Sequence, residues 1–293
     1  MNAEEIKKEQ VKGILLLLVG AFMLGGSGIF VKISDSSPSL IAFYRALLAL
    51  PFLYIWMKYE ERLEPSDLTL DKRYFFFIFL GGICFALDMS IWNWSLSFTS
   101  LASSTLMVNT APVFVIVFGL VFLSYKINIS FIAILCLAML GIFLVVQPGD
   151  ERAFFGDSLA LIAAVFYAGY ILSIKDLTNV IKPAKTLYYV TLVTSLCLLP
   201  LSFIEAGSLL ISYPEFILLL IYALFSQTIA QGLITKGISK VSAHLSSLVL
   251  LMQPVAAALY GWLLLGEMFT PTQIIGGLIV LLAIYLASKT SPN

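Results

Sequence analysis

Apolar residues run through this chain in blocks of about twenty, and the polar and charged residues gather in short interruptions between them. A helix rises 1.5 Å per residue and needs about 20 predominantly apolar residues to cross roughly 30 Å of hydrocarbon, so blocks of this length predict membrane-spanning helices. Ten are expected, at residues 13–33, 40–58, 74–97, 99–123, 128–147, 156–175, 186–204, 215–236, 241–265 and 271–288. The predicted class is an all-α membrane protein of ten transmembrane helices. The charged opening before the first block has the look of a secretory signal. The block is too long for a signal core, however, and no cleavage-site pattern follows it.

Charge position tests this partition. If the N-terminus is cytoplasmic, Lys7, Lys8, Lys12, Lys58, Arg62, Lys72, Arg73, Lys126, Lys175, Lys182, Lys185, Lys236, Lys240 and Lys289 all fall on the cytoplasmic side. Only Lys32 and Arg152 fall outside, and Arg45 lies within the second block. A partition drawn at random would scramble that bias, so the expectation is a multi-pass protein of the cell (inner) membrane with both termini cytoplasmic. The longest connection, Lys58 to Arg73, is too short for a domain, which leaves function inside the membrane.

Composition narrows the classes further. Hydrophobic residues make up 60% and charged residues 12%, with mean hydropathy +0.99, against about 25% charged in soluble domains. The formal net charge is zero, so nothing points to nucleic acid as a partner. Cys84, Cys136 and Cys197 stand singly in apolar blocks without metal-ligand spacing and are read as buried thiols. No metal and no cofactor is expected.

An internal repeat appears when the halves are overlaid. Gly13 precedes Lys32 as Gly156 precedes Lys175, and Pro38 with Tyr44 matches Pro183 with Tyr189. STLMVNTAPVFVIVFGLVFL around Pro112 parallels SSLVLLMQPVAAALYGWLLL around Pro254, with Gly119 matching Gly261. The expected units are residues 1–150 and 151–293, five spans each. An odd number of spans forces the two copies into opposite orientations, and an inverted repeat implies a midplane site between halves. Pro112 and Pro254, mid-span at matched positions, read either as kinks that shape curved helices or as gating points.

The candidate chemistry centres on Asp88. A carboxylate at membrane depth costs about 2.5–3.5 kcal/mol on insertion scales, so it faces protein, water or a ligand. Asp88, Trp92 and Ser95 share one helical face, with Cys84 a turn before. Arg45, about 7.5 Å from the outer end of its span, is close in depth to Asp88 at about 12 Å, so the two form either a structural ion pair or a pair lining a cavity. Trp92 reads as a cavity wall and Trp94 as an interfacial belt residue. Asn93 needs a partner if buried. Tyr44 lies beside Arg45, while Gln227 and Gln231, with Tyr167 and Tyr170, are a polar lining or interhelical glue in the second half. His244, the single histidine, starts the ninth span far in depth from Asp88 and reads as helix-end packing.

These residues carry a resemblance. The tandem five-span halves, FYRALLALP at Phe43–Pro51, D-x-x-x-W-x-W-S from Asp88 to Ser95, the TSLASSTLMVNTAPVF that follows, and LLLGE at Leu263–Glu267 resemble the ten-helix EamA-like members of the drug/metabolite transporter superfamily. The chain departs from that pattern where the fourth span ends in FLSYK, and where Val190 stands at the position matching Arg45. The resemblance implies a secondary transporter that exports or exchanges a small polar metabolite, amino-acid-like or similar, by alternating access. Its partners are then a small-molecule substrate, the lipid bilayer, and a proton or counter-metabolite; oligomeric state is left open. A membrane-embedded enzyme using Asp88 as general base is the alternative, although no linear catalytic motif is present.

Overall fold

A computed structural model describes residues 3–63, 72–99, 101–122, 129–145, 154–265 and 271–290. Among them every regular element is a helix. The first span is α1 (Ala3–Gly25) with α2 (Ser27–Ile33), the second α3 (Pro38–Leu63), and the third α4 (Lys72–Ser95). The fourth joins α5 (Leu101–Val108) to α6 (Ala111–Phe122), and α7 (Ile129–Val145) is the fifth. Then come α8 (Phe154–Thr178), α9 (Pro183–Ala206), and an eighth span built of α10 (Tyr213–Tyr222), a π-helical stretch (Ala223–Ala230) and α11 (Gln231–Ile238). The ninth joins α12 (Ala243–Val249) to α13 (Met252–Leu265), and α14 (Pro271–Thr290) is the tenth. Among the described residues seven helical rods are long and apolar enough to cross a bilayer, with shorter apolar helices at Ala111–Val121, Ile129–Gly141 and Ile274–Leu286. The expected unit boundary at 150, Lys126, Arg152, Glu267 and the terminal Asn293 lie outside the described residues.

Leu15, Val19, Ile55, Phe76, Phe79, Phe143, Leu196 and Ile204 are exposed on the outside of the bundle, a surface suited to acyl chains. Lipid removes most of the hydrophobic drive for helix association, so close packing and interhelical hydrogen bonds take its place. Glycine makes that packing possible: a Cβ on Gly237 of α11 would lie 2.5 Å from Leu17 Cγ of α1, and one on Gly82 of α4 would lie 2.5 Å from Val193 Cβ of α9. The thiols need a correction. Cys84 is buried, but Cys136 is exposed and Cys197 half-buried, because an apolar thiol suits the lipid face as well as the core.

The helix pairing exchanges between halves. α3 packs on α9 and α7 on α14; α1 packs on α11 as α8 packs on α4, and α13 lies against α1 as α5 and α6 lie against α8. The matched helices run antiparallel. Ser39 at the start of α3 donates its backbone N–H to Glu205 Oε2 near the end of α9 (2.9 Å), while Ala184 at the start of α9 donates to Glu60 Oε2 near the end of α3 (3.0 Å). Gly141 late in α7 likewise meets Gly276 early in α14. This is the geometry of two inverted five-helix repeats.

Among the described residues three spans are interrupted by turns: at Gly26, at Asn109–Thr110 and at Leu250–Leu251. Pro112 and Pro254 do not kink continuous helices; they sit in the first turns of α6 and α13, where a missing N–H breaks no ladder bond. Side chains brace the first of these matched breaks alongside the backbone bonds from Asn109 N–H to Thr105 O and from Thr110 N–H to Met107 O (3.1 Å each). Thr105 O accepts from Asn109 Nδ2 (2.7 Å), and Met107 O accepts from Thr110 Oγ1 (2.7 Å).

Candidate functional site

The face of α4 that carries Phe85, Asp88, Met89 and Trp92 follows helical spacing and turns inward on a cavity between the halves. Arg45 of α3, Tyr167 of α8 and Gln253 of α13 close it. The interrupted spans supply the rest, with Gly25, Ser27 and Gly28 at the first break and Thr105, Val108 and Asn109 at the second. The space open to the centre of a water-sized molecule is about 50 Å³, room for a few waters and too little for a metabolite.

Arg45 is 4% exposed and held between two rings, its guanidinium carbon 5.8 Å from the centroid of Phe85 and 5.3 Å from that of Tyr222. Nη1 donates to Tyr222 Oη at 3.2 Å. Tyr170 stacks on the Phe85 ring at 4.2 Å, and Phe30 on the Tyr222 ring at 5.1 Å, so a ladder of aromatics fixes the cation in place. A planar, delocalised guanidinium fits that slot where a lysine ammonium would not. Asp88, 7% exposed, looks into the same cavity, yet every N···O distance between the two exceeds 4.0 Å, so they make no direct ion pair. Of the two sequence readings, the structure has both charges on one cavity without the pair. Trp92 completes the wall; its indole Nε1 is buried with no hydrogen-bond partner in the protein. A cavity with separated opposite charges and an aromatic wall can hold an anionic group at Arg45, a cationic group or a proton at Asp88, and an apolar portion against Trp92 and Met89.

The other expected site residues lie elsewhere. Asn93, one residue on and about 100° round the helix, is 2% exposed and donates Nδ2 to Pro38 O at 2.9 Å, tying α4 to the start of α3. Ser95 bonds Ser104 Oγ (2.5 Å), which joins α4 to α5. Tyr44 donates to Leu209 O at 2.6 Å, beyond the end of α9. Gln227 and Gln231 are fully buried against Thr191 Oγ1 (3.0 Å) and Tyr170 Oη (3.1 Å), so they and Tyr170 stand behind the cavity wall. Trp94 is 42% exposed, as a belt residue would be, and also donates Nε1 to Glu205 Oε1 at 3.0 Å. Cys84 faces a separate lateral cleft with Phe118 and Gly169. His244 bonds Ser242 and meets Phe131 edge-on at 4.9 Å, in keeping with helix-end packing.

Sequence reasoning passed over Asn109, Thr105 and Gln253. The signal was present, since polar residues stand within three positions before the matched prolines in VNTAP and LMQP. A polar side chain beside a helix break has freed backbone groups to serve and an open flank to face.

Comparison with known proteins agrees with this architecture. The EamA-like transporter family matches twice, over residues 11–147 and 154–289. The pseudopaline exporter CntI of Pseudomonas aeruginosa is 24% identical over 286 residues, covering 95% of this chain and 96% of the relative. An uncharacterized transporter of Archaeoglobus fulgidus is 26% identical over 285 residues (94% and 96%), and the uncharacterized transporter YwfM of Bacillus subtilis 24% over 281 residues (94% and 93%). A solved crystal structure superimposes with a TM-score of 0.76 over 95% of this chain and 99% of that one at 11% identity, a likeness of fold alone. The chain belongs to the EamA-like transporter family, and it is a multi-pass membrane transporter of a small metabolite.

Proposed function

We propose that this protein is a secondary transporter that exports or exchanges a small polar metabolite, amino-acid-like in carrying both charge signs, by alternating access across the cell (inner) membrane. Both termini are cytoplasmic in this reading. The units 1–150 and 151–293 rock against each other around a fixed site. The observation that carries the proposal is the small cavity between the halves, which Arg45 and Asp88 both face without a direct ion pair. Two buried charges left without each other are costly unless a third partner completes them, and a zwitterion does so at both ends. The pseudopaline exporter among the relatives supports export as the direction. Where transport is coupled to protons, Asp88 is the carrier.

Purified protein in sealed vesicles tests this. A thermal-shift screen of amino acids, nucleotides, polyamines and organic cations comes first, because a ligand of the folded state raises its stability by mass action. The stabilising compound is expected to cross the vesicle membrane chemically unchanged. Stabilisation by singly charged cations or by nucleotides, with none by zwitterions, overturns the substrate class, and covalent alteration of the compound overturns transport.

A further inference from the structure

The antiparallel pair α3 and α9 is fastened at both ends by the same device. Glu60 stands 22 residues after Pro38, and Glu205 stands 22 residues after the matched Pro183. Each carboxylate accepts the backbone N–H just inside the start of the other helix: Glu205 that of Ser39 at 2.9 Å, Glu60 that of Ala184 at 3.0 Å. A carboxylate at a helix N-terminus meets unsatisfied N–H groups and the positive end of the macrodipole, so each contact is a charge-assisted bond between the two halves. One lies at each end of the α3–α9 pair, with the cavity between them.

The two ends differ in what else is attached. At the Ser39 end, Glu205 Oε1 also accepts from Trp94 Nε1 (3.0 Å), Asn93 Nδ2 bonds Pro38 O (2.9 Å), and Ser202 Oγ bonds Ser39 O (2.9 Å). Asn93 and Trp94 directly follow Trp92 on α4, so the helix that carries Asp88 into the cavity also holds this fastening. At the Glu60 end the neighbours are Lys182, whose Nζ donates to Glu60 O (3.2 Å), and the Lys185–Glu61 pair (3.4 Å).

We propose that Glu205 and Glu60 are the latches of the two gates, outer and inner, and that Asn93 and Trp94 couple the outer latch to occupancy of the cavity. Both latches are closed in this structure. Release of Glu205 opens the cavity outward, and release of Glu60 opens it inward. A ligand that draws α4 toward Arg45 pulls the Trp94 indole from Glu205 and loosens the outer gate alone. Asn93 and Trp94 are then positioning residues, which accounts for a polar and aromatic pair adjoining the site without lining it.

The inference rests on the alternating-access reading, and the experiment keeps the two apart. Cys84, Cys136 and Cys197 are replaced by serine, the cavity-lining Val108 becomes cysteine (V108C), and a membrane-impermeant maleimide is applied from one face at a time to right-side-out and inside-out vesicles without substrate. Glu205→Ala is expected to raise labelling from outside severalfold with none gained inside, and Glu60→Ala to do the reverse. Trp94→Phe, which deletes the N–H donor and keeps a smaller aromatic ring, is expected to raise outside labelling less than Glu205→Ala. Should either alanine variant fail to fold, Glu205→Gln and Glu60→Gln keep an acceptor and are expected to shift labelling in the same directions by less. Labelling that responds to one face but is unmoved by these changes, or both carboxylates acting on the same face, overturns the latches. Passage of the maleimide itself across the vesicle membrane through the protein with unaltered latches, which needs a cavity open to both faces together, overturns alternating access itself.

Discussion

Arg45 and Val190 occupy matched positions of the two halves, yet their surroundings are opposite. Arg45 sits between Phe85 and Tyr222 with its cationic head on the cavity. Val190 is fully buried in the α4–α9 contact, its Cγ1 at 3.7 Å from where a Cβ on Gly81 would lie. The third and eighth spans diverge in the same way. α4 is a regular helix that turns Asp88 and Trp92 to the cavity, whereas its counterpart passes through a π-helical stretch and seals Gln227 and Gln231 inside the protein. A duplicated architecture needs both halves to build the walls but only one to carry the charges. In the proposed reading both charges of the site belong to the first half, while the second adds Tyr167 and Gln253 to the wall.

The sharpest way to break this comparison is to truncate both members of the matched pair. Arg45→Ala removes two cation–π contacts and a charged hydrogen bond, a stability loss of roughly 3 kcal/mol, and is expected to abolish transport. Val190→Ala deletes two methyl groups at a cost of about 1–2 kcal/mol, and transport per folded molecule is expected to stay. Thermal unfolding and vesicle uptake read both; equal losses of transport would erase the asymmetry.

Asp88→Asn comes next. Its shape is nearly unchanged, so the protein is expected to reach the membrane in normal amount while net transport falls by about tenfold or more, the factor that 1.4 kcal/mol represents. Counterflow of labelled substrate beside pH-driven uptake sharpens the role: retained counterflow with lost pH dependence marks a proton carrier, and loss of both marks a substrate ligand. Normal values for both would remove Asp88 from the mechanism.

Trp92→Ala is expected to weaken substrate binding by about tenfold through loss of an aromatic wall worth one to two kcal/mol, with little change in unfolding temperature. The smallest effect is expected at Gln231→Leu. Its Nε2 bonds Tyr170 while its Oε1 is buried without a partner, so an apolar replacement changes stability by about 1 kcal/mol or less and leaves uptake within about twofold. A collapse of transport there would move the second half into the recognition site.

Much of the fold was legible in the chain because the bilayer permits few solutions. Unbroken apolar blocks become helices where no water can satisfy the backbone, and the polar residues beside Pro112 and Pro254 mark where two of those helices break. The site was legible in its charges, Arg45 and Asp88, since an ionised group at that depth has to be explained. Asn93, Gln227 and Gln231 were not separable from cavity residues, because a side chain that bonds another helix and one that awaits a ligand share the same polarity and spacing. The interruption at Gly26 and the π-helical stretch at Ala223–Ala230 carry no proline to announce them.

The sequence by itself determined the class, the number of spans, the duplicated halves and the presence of two intramembrane charges, all properties of single segments against lipid. Tertiary structure alone decided which of the polar faces met at the cavity, that Arg45 and Asp88 face it without pairing, and that Glu60 and Glu205 reach across to the opposite half. The reason is physical: hydropathy is summed within one helix, whereas a side chain's neighbours depend on the rotation and close approach of helices far apart in sequence, and small-residue packing rather than any local preference sets those.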